Sequence, residues 1–84
     1  MKVKVKLRLL EIYDELEMEL EEDLTVRSLL EKLISIYGDN LKKLIIDPKK
    51  GYRAIVIGGG EVIKANEKLK DKSELTLLLP VAGG

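Results

Sequence analysis

Residues 2–9 read Lys-Val-Lys-Val-Lys-Leu-Arg-Leu, a strict alternation of basic and apolar side chains. Successive side chains of a β-strand point to opposite faces, so this period of two predicts a strand with one buried face. The predicted inner residues are Val3, Val5, Leu7 and Leu9, and the predicted outer residues are Lys2, Lys4, Lys6 and Arg8. This stretch therefore predicts a sheet that is covered on one side.

The next alternating stretch carries the opposite charge. Leu16, Met18 and Leu20 alternate there with Glu15, Glu17, Glu19 and Glu21. The short break at residues 11–14 predicts a hairpin, which sets the basic row beside the acidic row on the outer face. Either the rows form a docking surface for a partner, or they are a solvated face that fixes the strand register. We favour the second interpretation.

A helical pattern follows the hairpin. Thr25 is a suitable N-cap, and Gly38 is placed to end the helix in a left-handed conformation. Residues 39–47 predict a short second helix that Pro48 stops, followed by a loop at residues 49–51. The predicted buried positions are Val26, Leu29, Leu30, Leu33, Ile34 and Tyr37 in the first helix and Leu41, Leu44 and Ile45 in the second.

Three more strands are predicted, at residues 52–57, 61–63 and 74–79. Gly58-Gly59-Gly60 matches neither common phosphate-binding glycine pattern, and a hairpin turn explains it better because glycine adopts positive φ without strain. Leu69 is the predicted anchor of the polar connection before the last strand. That last strand is almost entirely apolar, which is typical of a central strand.

The order of elements predicts an α+β domain, with one main helix packed across a mixed sheet of about five strands. The two most apolar strands lie near the two ends of the chain. Placing them side by side in the centre of the sheet buries both, and the long crossover between them permits a parallel pairing. This is the β-grasp topology that ubiquitin has. We expect residues 1–79 to form the domain and residues 80–84 to form a flexible tail.

Composition excludes several classes of function. Fifteen basic and fifteen acidic residues give no net charge, which argues against a general binder of nucleic acid. The sequence has no cysteine and no histidine, so a disulfide, a thiolate nucleophile, a cysteine–histidine zinc site and a Ser-His-Asp triad are excluded. No apolar run predicts a signal or a membrane span, and we expect a cytoplasmic protein with no metal and no cofactor bound to this chain.

The tail carries the most specific motif. Pro80 ends the last strand, and Val81, Ala82, Gly83 and Gly84 follow as small residues. Leu79-Pro80-Val81-Ala82-Gly83-Gly84 resembles the end of the molybdopterin synthase small subunit, which commonly reads Pro-Pro-Val-x-Gly-Gly. Residues 69–75, Leu-Lys-Asp-Lys-Ser-Glu-Leu, resemble the Leu-x-Asp-Gly-Asp-x-Val approach to that family's last strand.

The sequence departs from that family at three places. Leu79 stands where the family usually has a first proline, and Gly58-Gly59-Gly60-Glu61 replaces a Val-Asn-Gly hairpin. The connection at residues 11–14 is shorter than the loop that the family often carries there, a feature shared with the sulfur carrier of thiamine thiazole synthesis. The resemblance therefore extends to the wider superfamily of ubiquitin-like sulfur carriers.

The resemblance implies a chemistry for the tail. A ubiquitin-activating-type enzyme would adenylate Gly84 with ATP, and a sulfur donor would convert the adenylate to a thiocarboxylate. The tail, with Pro80, Val81, Ala82 and Gly83 as contacts, would then enter the large subunit of molybdopterin synthase, so the chain is not an enzyme on its own. Three alternatives stay open: sulfur carriage for thiazole or tRNA thiolation, a protein modifier that forms an isopeptide bond through Gly84, and a binding module with an inert tail.

Overall fold

A computed structural model of the protein describes residues 1–9 and 11–79. Its helices are α1 (Val26–Tyr37) and α2 (Asp39–Ile45), and its strands are β1 (Lys2–Arg8), β2 (Tyr13–Glu19), β3 (Ile46–Asp47), β4 (Gly51–Tyr52), β5 (Ile55–Gly58), β6 (Glu61–Ile63) and β7 (Ser73–Leu78). None of the described helices has the length and apolar character needed to cross a membrane.

The main sheet has five strands in the order β2-β1-β7-β5-β6. β1 and β7 are parallel, and the other neighbours are antiparallel. The predicted central pair is confirmed, and with it the α+β, β-grasp class. Because a parallel pair needs a crossover of a dozen or more residues, the chain between the two strands has room for both helices and the β5–β6 hairpin.

The core lies between α1 and one face of this sheet. The predicted stripe of α1 is confirmed, since Val26, Leu29, Leu30 and Leu33 are buried and Ile34 and Tyr37 are half-buried. No described side chain that is polar or charged is buried. Burying one leucine or valine side chain of this core stabilises the fold by about 1.5–3 kcal/mol. The sheet contributes Val3, Val5, Leu7, Val56, Leu75 and Leu77 to this core, and Leu69 is the predicted anchor beside it.

Both predicted caps of α1 are in place. The Thr25 hydroxyl accepts a hydrogen bond from the Ser28 N–H at 3.3 Å. Gly38 has a φ of 75° and its N–H donates to the Ile34 carbonyl at 2.7 Å. Its ψ of −155° is not the left-handed helical value we predicted. It lies in a region that essentially only glycine adopts, and this sharper turn lets α2 begin at the next residue.

Two predicted boundaries between residues 39 and 57 are wrong. The second helix ends at Ile45 rather than residue 47, because β3 leaves it to pair with β4, so Gly51 belongs to a strand and not to a loop. The strand predicted at residues 52–57 is interrupted at Arg53 and Ala54. The Arg53 N–H donates to the Ile45 carbonyl at 2.8 Å, so it bonds to the end of α2 and not to a strand of the main sheet. Strands of two residues are too short to show a period of two, so no local periodicity reveals them.

The β1–β2 hairpin is tighter than predicted. Tyr13 and Asp14 belong to β2 instead of the connection, because Tyr13 pairs with Arg8 and Asp14 with Leu7. The outer face carries the predicted ion pairs, with Lys4 lying 3.7 Å from Glu15. The contacts run diagonally, since the residue directly opposite Lys4 is Glu17. Exposed pairs of this kind contribute little stability each, so their main effect is on register.

The loop before β7 is tied to the start of β1. The Lys72 N–H donates to the Lys2 carbonyl at 2.7 Å, and Asp71 accepts from the Lys2 N–H at 2.8 Å, which lowers the pKa of Asp71 below its ordinary 3.8. Lys72 has a φ of 62° at the position where the resembling family's motif has glycine. A left-handed conformation at this position explains why glycine suits it.

The predicted glycine hairpin is confirmed, with Gly59 and Gly60 at φ values of 61° and 80° between β5 and β6. Gly58 has a different role. A Cβ atom there would lie 2.5 Å from Ile63 Cδ1 and 2.8 Å from Leu75 Cδ2. The glycine therefore allows two core side chains to close over the backbone.

We expect Gly58→Ala to lower the free energy of unfolding by about 1–3 kcal/mol, because the added methyl group overpacks this contact. Denaturant unfolding measures the change. Ile63→Val removes the Cδ1 atom that the new methyl group meets, so the double variant should recover part of the loss. If the changes in unfolding free energy of the two single variants simply add in the double variant, the steric explanation is contradicted.

Candidate functional site

The predicted tail residues, Pro80, Val81, Ala82, Gly83 and Gly84, lie outside the described residues, which end at Leu79. The predicted boundary between domain and tail therefore stays a prediction. What the structure describes is the strand that leads to the tail and the surface around its end.

β7, the strand that precedes the tail in the sequence, has a neighbour on each side. It lies between β1 and β5, and Leu78 is placed directly between Arg8 and Ile55. Leu79 is half-buried and packs against the core. A central strand cannot separate from the sheet without breaking a hydrogen-bond ladder on each side, so this end of β7 resists local opening.

Beside this end, the sheet exposes an apolar surface on the face away from α1. Leu75, Leu77 and Val56 are buried on the helix side, so the alternate residues of β7 and β5 point outward. The outward apolar residues are Ile55, Ile57, Val62 and Leu78, which we call the apolar patch. Val62 lies opposite Ile57 and is 65% exposed. The other three members are half-buried, so the patch is a partly exposed apolar surface centred on Val62. Larger exposed apolar surfaces mark interaction sites, which makes this patch a candidate one.

Sequence reasoning did not find the apolar patch. The alternation of Ile55, Val56 and Ile57 was visible, but every one of these residues is apolar, so no polar partner identified the outer face. Val62 was assigned only to a short strand. The placement of α1 decides which side of the sheet is covered.

On the other side of Leu78, the same face becomes charged and aromatic. The Arg8 guanidinium lies 4.3 Å from the centre of the Tyr13 ring, and it donates to the Asp14 carbonyl at 3.1 Å. Glu15 lies 3.8 Å from the same guanidinium. These contacts hold the Arg8 guanidinium over the Tyr13 ring and partly neutralise its charge. The end of β7 therefore lies between an apolar surface and a restrained cation.

At the same end of the sheet, α1 is joined to β2 by a single hydrogen bond. The Tyr37 hydroxyl donates to Asp14 Oδ2 at 2.6 Å, and the other Asp14 oxygen accepts from the Glu15 N–H at 2.8 Å. The Tyr37 bond is the main reason that the pKa of Asp14 is lowered from its ordinary 3.8. Burial and this bond raise the pKa of Tyr37 to about 12.

Metal-binding groups and clefts are the other features of the described body that could form a site. Among residues 1–9 and 11–79 there is no group of three or more acidic side chains that could hold a metal ion. A wide cleft of about 980 Å³ opens at the opposite end of the sheet, between the glycine hairpin and residues 67–75. Lysines and acidic residues both line it, so it favours no single charge of ligand. The tail stays the predicted reactive segment, and it lies outside the described residues.

A sequence model of the ThiS family matches residues 3–84, nearly the whole chain. The chain belongs to the ThiS family. The match includes the final Gly-Gly as well as the body, and it identifies the chain as a ubiquitin-like protein of the sulfur-carrier and modifier type. No curated protein matches the chain.

Solved structures agree on the fold. SAMP1 of Haloferax volcanii is 24% identical, with full coverage of both chains and a TM-score of 0.79. A candidate molybdopterin converting factor, subunit 1, of Pyrococcus furiosus is 28% identical, with 95% of this chain and 98% of that chain covered and a TM-score of 0.73. Caldiarchaeum subterraneum ubiquitin is 22% identical, covers 100% and 98% of the two chains, and has a TM-score of 0.63. The ThiS-family chain thus shares its β-grasp architecture with all three.

The Asp14–Tyr37 bond predicts a specific pH dependence. The lowered pKa of Asp14 contributes stability that is present above the unfolded value of 3.8 and is lost as the pH falls through the lower folded value. The raised pKa of Tyr37 contributes stability that is complete below pH 10 and is lost as the pH rises through about 12.

Tyr37→Phe should therefore raise the Asp14 pKa toward 3.8, as followed by NMR titration of its side-chain carboxyl carbon. Tyr52→Phe is the matched control, because no described contact joins Tyr52 to Asp14. An Asp14 pKa that is the same in wild type and Tyr37→Phe would show that the hydroxyl does not hold the carboxylate in solution.

Proposed function

We propose that this ThiS-family chain is a sulfur carrier that serves as the small subunit of molybdopterin synthase in the cytoplasm, with the carboxylate of Gly84 as its reactive group. The observation that carries the proposal is the family match through residue 84. A single family model therefore covers both the β-grasp body and the Gly-Gly end. The similarity to the Pyrococcus furiosus molybdopterin converting factor candidate supports this pathway over others.

The chemistry requires a separate activating enzyme. A carboxylate is a poor electrophile, and ATP converts it to an acyl adenylate with release of pyrophosphate. A sulfur donor then delivers hydrosulfide to the carbonyl carbon, AMP leaves, and a thiocarboxylate forms on Gly84. With no cysteine in the sequence, the terminal carboxylate is the group on which sulfur can be carried. The sulfur next passes to a pterin precursor in the large subunit, and the carboxylate is regenerated with an oxygen atom from water.

The body contributes the docking surface. Any enzyme that receives the tail must approach the end of β7, where the apolar patch begins at Leu78 and Ile55. Val62 lies two strands from β7, at about 4.8 Å per strand, and is level with Thr76, two residues before Leu78. The patch therefore reaches roughly 12 Å from Leu78 to Val62. We propose that the activating enzyme and the large subunit both cover this patch when the tail enters them.

A protein modifier is the second candidate function. SAMP1, whose other solved structure names it small archaeal modifier protein 1, and Caldiarchaeum ubiquitin have the same fold, but their identities of 24% and 22% support the fold alone. Adenylation is common to both candidates, and they diverge when either a sulfur donor or a lysine amine attacks the adenylate. Sulfur carriage for thiazole or tRNA thiolation shares every step through the thiocarboxylate.

Intact-mass spectrometry of the chain purified from its native host tests the assignment. We expect a population that is heavier by the mass difference between sulfur and oxygen, located at Gly84. Peptides with Gly84 joined to lysine would instead support the modifier function. Deletion of Gly83 and Gly84 should abolish molybdenum- or tungsten-enzyme activity in the cell, and unchanged activity would overturn the pathway.

Gly84→Ala should lower the rate of adenylation by about 100-fold, because a side chain beside the reacting carbon displaces it from the productive geometry. ATP–pyrophosphate exchange with the purified activating enzyme measures this step directly. Lys49→Ala, in the exposed turn between β3 and β4, is the control and should exchange at the wild-type rate. Equal rates for the two variants would contradict the proposed role of Gly84.

The docking role of the apolar patch is tested by Val62→Glu. We expect affinity for the activating enzyme to fall about tenfold, since a charge replaces an apolar contact at the interface. Ile36→Glu is the matched control because Ile36 is 57% exposed on α1, in the other layer of the fold. Thermal unfolding of both variants checks that they fold, and equal loss of affinity would contradict docking through the patch.

A further inference from the structure

The outer edge of β2 is an unusually complete strand edge. β2 pairs with β1 over seven consecutive residues, and among the described residues no strand lies on its other side. The register contains no bulge, and β2 contains no proline and no lysine. Natural edge strands are usually shortened, bulged or protected by proline or charged residues because a free edge pairs with other chains, and the protection that β2 has is its row of acidic side chains.

The hydrogen-bond pattern shows which backbone groups face outward. Met1 and Leu20 exchange both backbone bonds, at 2.6 and 2.7 Å, and the Leu9 N–H donates to the Ile12 carbonyl at 3.0 Å. Hydrogen-bonded and non-hydrogen-bonded pairs alternate along an antiparallel ladder. The outward N–H and C=O groups of β2 therefore belong to residues 13, 15, 17 and 19.

Part of this edge is already occupied. The Glu15 N–H donates to the Asp14 carboxylate at 2.8 Å, so its hydrogen bond is satisfied within the chain. No described residue accepts from the N–H of Glu17 or Glu19, which lie toward the other end of β2. The section of the edge that is open to another strand is therefore the half that contains Glu17 and Glu19.

The side chains define what that other strand must carry. On the outer face, Glu15, Glu17 and Glu19 are exposed, and each already lies within 4 Å of a cation of this chain, so an added basic strand would share these carboxylates. On the helix side Leu16 and Met18 are only half-buried. β1 already shows the matching pattern on the inner edge of β2, with lysines facing the glutamates and valines facing Leu16 and Met18. A strand with the same alternation fits the outer edge, because cross-strand neighbours on both sides of β2 meet the same side chains.

We propose that the outer edge of β2 binds an extended segment of a partner protein in which basic and apolar residues alternate, adding a sixth strand to the sheet. A second copy of this chain does not fit, since pairing β2 with β2 would set glutamate against glutamate. β1 of a second copy is already paired on both sides within its own sheet. The occupant is therefore a different protein with a basic extended segment.

This site is independent of the tail. β2 and β7 are separated by β1, which places the edge roughly 10 Å from the strand that leads to Gly84. A partner held at the edge leaves the apolar patch uncovered, so the chain can be tethered to one protein while its tail reacts in another. The inference goes beyond the proposed function and does not require it.

The test uses the full chain, isotope-labelled, and a synthetic peptide with blocked ends that carries the sequence of residues 2–8. On titration, the amide NMR signals of Glu17 and Glu19 should shift, and their hydrogen exchange should slow about tenfold or more. A peptide of identical composition with its basic residues grouped together is the control. Equal binding of the two peptides would show attraction by charge alone and would overturn the proposal.

Two variants separate backbone pairing from charge. Glu17→Pro removes an outward N–H while leaving the bonds to β1, and proline is tolerated at such edge positions, so the fold should persist. It should weaken peptide binding about tenfold or more, whereas Glu17→Thr, which removes the same charge and keeps the N–H, should weaken it only about twofold. Equal losses would overturn strand addition. Removal of Gly83 and Gly84 should leave binding unchanged, which distinguishes this site from the tail.

Discussion

The parallel pairing of β1 with β7 is the constraint on which the rest of this structure depends. It joins the first and last strands through six register pairs, from Val3 with Ser73 to Arg8 with Leu78. Because two parallel strands cannot be joined by a tight turn, the intervening chain must cross the sheet, and α1 makes that crossing with its apolar stripe against Val5, Leu7, Leu75 and Leu77. The same pairing places β7 in the centre of the sheet, so the described chain ends on a strand that has a neighbour on each side.

The pairing also divides the outer face of the sheet into two halves. On the β1–β2 side, lysines and glutamates form exposed ion pairs and bring the net charge of that surface near neutrality. On the β7–β5–β6 side the apolar patch is partly exposed, most of all at Val62, and Leu78 lies at the boundary beside Arg8. The tail begins at this boundary. Under the proposed function the tail enters more than one protein, and an apolar surface suits several partners because apolar contacts are not directional.

Much of the fold could be predicted from local pattern. The alternation in residues 2–9, the Thr25 and Gly38 caps and the triple glycine each specify local geometry through side-chain period or permitted φ, and each was found where predicted. The errors lie where strand pairing or a side-chain contact overrides the local signal. Ile46 and Asp47 continue an apolar helical pattern, yet they pair with Gly51 and Tyr52 instead. Tyr13 and Asp14 read as a connection, yet Arg8 and Tyr37 hold them in β2.

For function, the sequence by itself determined the chemistry that is available. The sequence lacks cysteine and histidine and ends in Gly-Gly, and both facts can be read without a structure. They made the tail the candidate reactive group. Only the tertiary structure decided which surfaces surround that tail. Ile55, Ile57, Val62 and Leu78 come from three strands, and whether each faces the core or solvent depends on which side α1 covers. The open edge of β2 is likewise a property of strand order, because a strand is an edge only when its second neighbour is missing.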